Sequence, residues 1–192
     1  MTLFLILAPY GVFASLMLMS SALRSVITAA VVCLAVIVLD AARGRSLKIL
    51  GVGSAVLFAG IGLYLLLVNP ALAASEVKFA VDTGIFIISA GSMLIRHPFS
   101  LQYALESVHP ETAAMPGFVR ANYMITGAWT AAALLMMLSN LALLYVPGLP
   151  IWTSLVIAFA ARNSAIYFTR WYPQYRRLKH GVPPADALPR AR

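Results

Sequence analysis

The sequence predicts an all-α polytopic membrane protein, six transmembrane helices in three hairpins, on three observations. The chain has 192 residues, of which 61% are hydrophobic and only 10% charged, and its mean hydropathy is +0.88; ordinary soluble domains carry about 25% charged residues. Its apolar runs are each about 20 residues long and lack strand-like alternation, the length a helix needs to cross hydrocarbon. Backbone that has no water to bond with must close its own hydrogen bonds, which makes such runs helices. They nearly fill the chain, so the expected organisation is one transmembrane domain over 1–172, interrupted by a polar loop at 96–122 and followed by a basic, proline-rich tail at 173–192.

The first span is expected from Thr2 to Leu23, with a mild kink at Pro9, since a proline so near the start removes a bond from the first turns only. The run from Met1 to Leu23 has no basic segment before it and no nearby small-residue cleavage pattern, so it reads as a span and not as a cleaved signal. A short SALRS turn leads to span two, Val26 to Asp40, and the basic AARGRSLK connection follows it. Span three, Ile49 to Val68, carries Gly51, Ala55, Ala59 and Gly62 on one face, a seam where helix backbones approach closely. Pro70 closes it, and span four runs from Val77 to Ile95 with Gly84, Ala90, Gly91 and Ser92 as a second patch of small residues.

The loop that follows cannot sit in oil. Pro98 suits the first position of a helix, and Leu101, Ala104, Leu105 and Val108 fall at i, i+3, i+4 and i+7. The spacing predicts an amphipathic helix that ends at His109-Pro110 and rests at the membrane interface, its apolar side against lipid or the bundle. Spans five, Tyr123 to Val146, and six, Ile151 to Trp171, are joined by PGLP. Tyr145 and Trp152 would form one aromatic belt, and Tyr123, Tyr167, Trp171 and Tyr172 the other. Disorder is expected beyond Lys179.

Fourteen basic residues face six acidic ones, a formal net charge of +8. Threading six spans gathers Arg43, Arg45, Lys48, Arg96, Arg120, Arg170, Arg176, Arg177, Lys179, Arg190 and Arg192 on one side. By the positive-inside rule this side is the cytoplasm, with both termini there, as in a bacterial inner membrane. The excess charge is thus a matter of topology and of contact with anionic lipid headgroups, for which Arg43, Arg45, Lys48, Arg96, Arg170, Arg176, Arg177 and Lys179 are the candidate surface. It does not point to nucleic acid.

Arg162 is the sharpest feature, because it lies near the middle of span six. An arginine there costs about 3 kcal/mol on insertion scales and turns toward the bundle interior or a wet cavity. Counting helical rises of about 1.5 Å from the outer span ends places Asp82 several ångströms nearer the outside than Arg162, within reach of a long side chain. Asn140, Asn163 and Asp40 are further polar neighbours. The plain reading is an ion pair that fixes helix order; the alternative is a transport path. Glu106 and His109 spell E-x-x-H, but a di-iron bundle site needs a second such motif and more carboxylates, so no metal is expected. The single Cys33 offers no disulfide, and no nucleophile with its base, P-loop or dinucleotide fingerprint occurs. No catalytic residue and no cofactor are expected.

Three short motifs resemble the bacterial inner-membrane family called intracellular septation protein A. They are Lys78 opening span four, SAGSML (Ser89 to Leu94) before RHPFSLQYAL (Arg96 to Leu105), and Ala128-Trp129 with Asn140 about three turns on. The spacing of spans is similar from residue 8 to about 171. The chain departs from that pattern in its longer loop, HPETAAMPGFVRAN, and in lacking a Leu-Asn pair before the Trp. The resemblance implies a part in maintaining the cell envelope through contacts with division or wall-synthesis proteins, and it implies no reaction.

The leading expectation is therefore a non-enzymatic, structural or interaction component of the envelope. The runner-up is a small transporter or channel with a polar path around Arg162 and Asp82. One property separates them: a transporter needs a cavity reaching the middle of the bundle, whereas a structural bundle is dry around Arg162.

Overall fold

The computed structural model describes residues 2–108, 110–115 and 117–179, with side chains throughout except at 2–6, 151 and 177. These residues form helices and turns. The elements are α1 (Thr2–Met19), α2 (Ala22–Ala42), α3 (Ile49–Leu67), α4 (Ala74–Leu94), two short helices α5 (Phe99–Leu105) and α6 (Pro110–Ala113), then α7 (Phe118–Tyr145) and α8 (Ile151–Lys179). Four of them, α2, α3, α4 and α7, are long and apolar enough to cross a membrane, and α1 adds an apolar stretch over Leu7–Met19. Large apolar side chains such as Val31, Leu34, Val56, Leu63, Ile87, Leu135 and Phe159 point outward. In water so much exposed apolar surface would drive aggregation, so it marks a protein embedded in a membrane.

Neighbouring helices run in opposite directions. Gly51 faces Ile37 and Gly62 faces Val26 across α2 and α3, while Gly53 faces Ile88 and Gly84 faces Leu57 across α3 and α4. Gly51, Gly53, Gly62 and Gly84 thus serve as seams within the bundle, whereas Ala59, expected on the same face of α3, is exposed, and Gly91, expected in the patch of α4, has nothing within 4 Å of an added methyl. Between α7 and α8 the seam is built from Ala132, Ala133, Ala161 and Ala165, with Met136 beside them. The other core lies among α1 to α4, where Phe58 packs against Phe13 and Tyr10 at 5.5 and 6.0 Å between ring centres. In this order α1, packed on α2, and α8, packed on α7, stand at the two ends of the packed series and do not pack closely on each other.

Several boundaries differ from the sequence reading. The first turn is tighter than SALRS: Ser21 is the N-cap of α2, its Oγ accepting from Arg24 N–H at 3.5 Å, so only Ser20 and Ser21 separate the helices. A capping serine ends one helix and starts the next without an intervening loop. At the other end, α8 does not stop at Trp171. It passes through Pro173 to Lys179, because a proline removes one backbone bond while the i, i+4 stacks of Phe168 on Tyr172 (4.9 Å) and Trp171 on Tyr175 (5.1 Å) brace the same turns. The expected disordered tail beyond Lys179 lies outside the described residues, as does His109.

The loop is the largest departure. The expected amphipathic helix stops early, at Leu105, with the short α6 beyond its expected end, and its apolar stripe is divided, with Leu101 and Ala104 half-buried. Leu105 is exposed, whereas Pro98 and Phe99 are buried. Polar bonds decide the rotation: Phe99 N–H donates to Ser92 Oγ (3.2 Å), and Ser100 Oγ donates to the Asn122 carbonyl (2.8 Å) and meets Thr126 Oγ1 at 2.8 Å. The chain reaches this position by an Arg96 held at φ 60°, with His97 N–H closing back on the Ser92 carbonyl at 2.9 Å. This left-handed residue after the helix end is the usual way to satisfy the last carbonyls and reverse direction. Arg in that role is strained relative to glycine.

Candidate functional site

Two places gather polar chemistry, and α5 touches both. The first is at the end of the bundle that carries the 43–48 connection, here called the basic end. Lys48, 5% exposed, sets its Nζ 2.8 Å from Asp40 Oδ2 and 3.1 Å from Glu106 Oε2, and lies 5.2 Å from the centre of the Tyr103 ring. Arg45 joins Asp40 at 3.3 Å and Glu106 at 4.0 Å. Ser46 donates its N–H (3.2 Å) and hydroxyl (3.1 Å) to Glu106 Oε1, and Ile49 N–H donates to Gln102 Oε1 at 2.8 Å. Gln102 thereby satisfies one of the orphan donors at the start of α3. Burial raises the Tyr103 phenol above its ordinary range, so it stays neutral beside the two carboxylates.

This cluster corrects two sequence expectations. Lys48 and Arg45 were expected to face lipid headgroups, but Lys48 is enclosed by carboxylates and Arg45 is shared between the same two acids. Glu106, expected on a free amphipathic helix as half of E-x-x-H, is the anchor that ties α5 to α3. Arg43, Arg96, Arg170 and Lys179 are exposed, and Arg176 extends over Gly117, whose added methyl would meet its Nη2 at 2.6 Å. The side chain of Arg177 is not described.

The second place is a cavity of about 300 Å³ inside the bundle. Arg162 and Met136 line its upper part, Ile85 and Ser89 of α4 and Trp129 of α7 its walls, and α5 closes it toward the basic end with Phe99, Ser100 and Tyr103. Leu7 and Tyr10 of α1 and Thr169 of α8 line it from the two ends of the helix series. Its polar groups are already engaged. Ser89 meets Thr130 at 2.6 Å, Trp129 Nε1 donates to Thr169 Oγ1 at 2.9 Å, Asn122 Nδ2 donates to the Phe118 carbonyl at 3.0 Å, and the Tyr10 hydroxyl pairs with Ser54.

Arg162 and the Tyr103 hydroxyl are the exceptions among the described residues. The expected ion pair with Asp82 does not form: Asp82 Oδ2 instead accepts from Asn140 Nδ2 at 2.6 Å, and Arg162 has no carboxylate within 4.0 Å among the described residues. The rise counting was sound as far as it went, for Arg162 lies within electrostatic range of both Asp82 and Tyr10. What it could not see was that Asn140, on the nearer helix, reaches the carboxylate first. Asn163 is exposed and donates to the Phe159 carbonyl at 2.8 Å, away from the cavity, since adjacent helical residues point about 100° apart. Asp40 is taken by Lys48 and Arg45. The four intramembrane polar residues are thus one bonded pair, one outward asparagine and one unpaired arginine. Asn140 Oδ1 is buried without a hydrogen-bond partner among the described residues.

The sequence reading also missed the run of Ser89, Ser92, Ser100, Asn122, Thr126 and Thr130 that knits α4, α5 and α7. Its signal was the recurrence of hydroxyls at i and i+3 or i+4 in otherwise apolar segments. No family model, curated protein or solved structure matches this chain.

Proposed function

We propose that the protein is a non-enzymatic, six-span membrane protein, its helices paired as three hairpins, that binds a small solute in the cavity below Arg162 and acts as a carrier. The single observation behind this reading is the cavity itself, which reaches the middle of the bundle and is lined there by a cation without a counter-ion. A bundle held by a structural ion pair would instead be closed at that position. The opposed directions of neighbouring helices and the gathering of the 43–48 connection, α5 and the end of α8 at one end support the same topology, with that end cytoplasmic in a bacterial inner membrane.

Thiol access tests it. In a Cys33→Ser background, Met136→Cys in the cavity should react with a small charged methanethiosulfonate, while Ala29→Cys, fully buried between helices, should not. Reaction from each face in turn is the result expected of a carrier. A silent Met136→Cys would return the protein to the dry structural class. The envelope-component reading suggested by the resemblance to septation protein A finds support in Gly11, Gly60 and Gly91, where an added methyl meets nothing within 4 Å, as at helix faces open to partner spans.

A further inference from the structure

We infer that the cavity is built for a hydrophobic monocarboxylate, a single apolar body with one carboxylate head seated on Arg162. The inference rests on the carrier reading above and adds to it the chemical class of the solute.

The head group follows from the donor count. A guanidinium presents five N–H donors in a rigid fork and no acceptor, and those of Arg162 meet neither a carboxylate nor a hydrogen-bond acceptor among the described residues. The neighbouring polar groups offer no relief, because Trp129, Thr169, Ser89, Asn122 and Tyr10 are each committed elsewhere. Arg162 is half-buried, and a cation partly withdrawn from water with no partner for its donors is costly. A planar oxyanion satisfies the fork with two parallel bonds. Among the described residues Arg162 is the only cation lining the cavity, so one negative charge balances it, whereas a phosphate monoester would bring a second charge that nothing described there answers.

The body follows from the walls. Much of the lining is apolar or aromatic, with Leu50, Ile85, Phe99, Ile125 and Met136 among it, and its Ser89, Ser100, Ser107, Asn122 and Thr169 already make hydrogen bonds within the protein, so a solute with several polar groups would lose water there without gaining full replacement. About 300 Å³ holds the volume of roughly ten water molecules, enough for one slender chain or ring and too little for the two chains of a bilayer phospholipid. The route also suits an amphiphile. Both α1 and α8 line the cavity without packing closely on one another, so the space between them faces the lipid, where such molecules dissolve.

The test uses the full chain in nanodiscs of zwitterionic lipid, with Trp152→Phe and Trp171→Phe leaving Trp129 as the sole indole. Quenching of Trp129 is titrated with 11-bromoundecanoate, 11-bromoundecanol and the corresponding trimethylammonium bromide. The expected result is that the carboxylate binds about tenfold or more tightly than the alcohol, as a charge-assisted bidentate contact implies, and that the ammonium binds least. Arg162→Leu should abolish the preference and Arg162→Lys should keep part of it; if Arg162→Leu does not fold, the three head groups on the unaltered Arg162 chain still decide. Equal quenching by acid and alcohol would overturn the carboxylate assignment while leaving a solute cavity in place. If none of the three quenches above the level of empty nanodiscs, and thiol access at Met136→Cys also fails, the cavity reading falls with it.

Discussion

Replacing Lys48 by methionine isolates the cluster that holds α5 in place, because methionine keeps most of the apolar stem and removes only the charge and its donors. The ammonium lies 2.8 Å from Asp40 and 3.1 Å from Glu106. At an effective dielectric of about 20, each contact corresponds to roughly 5 to 6 kcal/mol of Coulomb attraction. The desolvation of a buried lysine offsets several kcal/mol of that, and deleting one partner of a buried pair costs about 3–5 kcal/mol in measured cases. Arg45 remains at 3.3 Å from Asp40, so the lower end, about 3 kcal/mol, is expected for Lys48→Met. Glu106→Gln keeps an oxygen for Ser46 and should cost less, about 1–2 kcal/mol. Combined, the two changes should be less damaging than their sum by about 1 kcal/mol or more, since they share one interaction. Reversible denaturation in mixed micelles gives the three free energies, and amide exchange over residues 99–105 reports whether α5 is released. Additive losses, or an α5 as protected in Lys48→Met as in the parent, would refute the claim that this ion cluster fastens the loop.

Other expectations follow from packing and pairing. Gly84→Ala should lower stability by about 1–3 kcal/mol, because its methyl would collide with the Cγ and both Cδ carbons of Leu57; Gly91→Ala, with nothing within 4 Å, should be neutral or gain up to about 1 kcal/mol of helix propensity in the same assay. Asn140→Leu should cost about 3 kcal/mol by leaving the Asp82 carboxylate without its hydrogen bond, and adding Asp82→Leu should recover most of the loss, so a double variant worse than the single would contradict the pairing. In a Cys33→Ser background, an impermeant maleimide should label Arg43→Cys and Ser107→Cys from one face of sealed vesicles and Ala74→Cys from the other; labelling of all three from one face would break the six-span topology.

What could be read from the sequence was whatever depends on one segment at a time. Apolar length located the long helices, though not the polar end of α8 beyond Trp171 or the first turn of α7, and the faces of Gly51 and Gly62 and of Gly84 proved to be seams because small residues let helix backbones approach closely in lipid. Contacts between distant segments were legible only by type. The need of Arg162 for a polar neighbour could be read from its place in the span, yet nothing in the spacing said that Glu106 would choose Lys48 or that Asn140 would reach Asp82 ahead of Arg162. The rotation of α5 was not legible for the same reason. Its period gave an apolar side for lipid or the bundle without choosing between them; Ser100 and Gln102 had bonds waiting on Asn122 and on the start of α3, and these set which side faces the bundle.

The placement of α5 bears on how a solute enters. Tyr103 belongs to both sites, one face of its ring toward the Lys48 ammonium and its side chain in the cavity lining, so opening the cavity toward the basic end means lifting α5. That movement would break the Ser100 bonds to α7, the Ile49–Gln102 bond and the Lys48–Glu106 pair together. At about 1 kcal/mol for each neutral bond and 2 for the charged one, the lifted state lies about 5 kcal/mol above the docked one, a population of a few in ten thousand. No comparable set of bonds joins α1 to α8 among the described residues. A solute therefore meets less resistance by sliding between these two helices from the lipid than by displacing α5, and Lys48→Met, by weakening the fastening, should raise access from the basic end without changing affinity for the carboxylate probe.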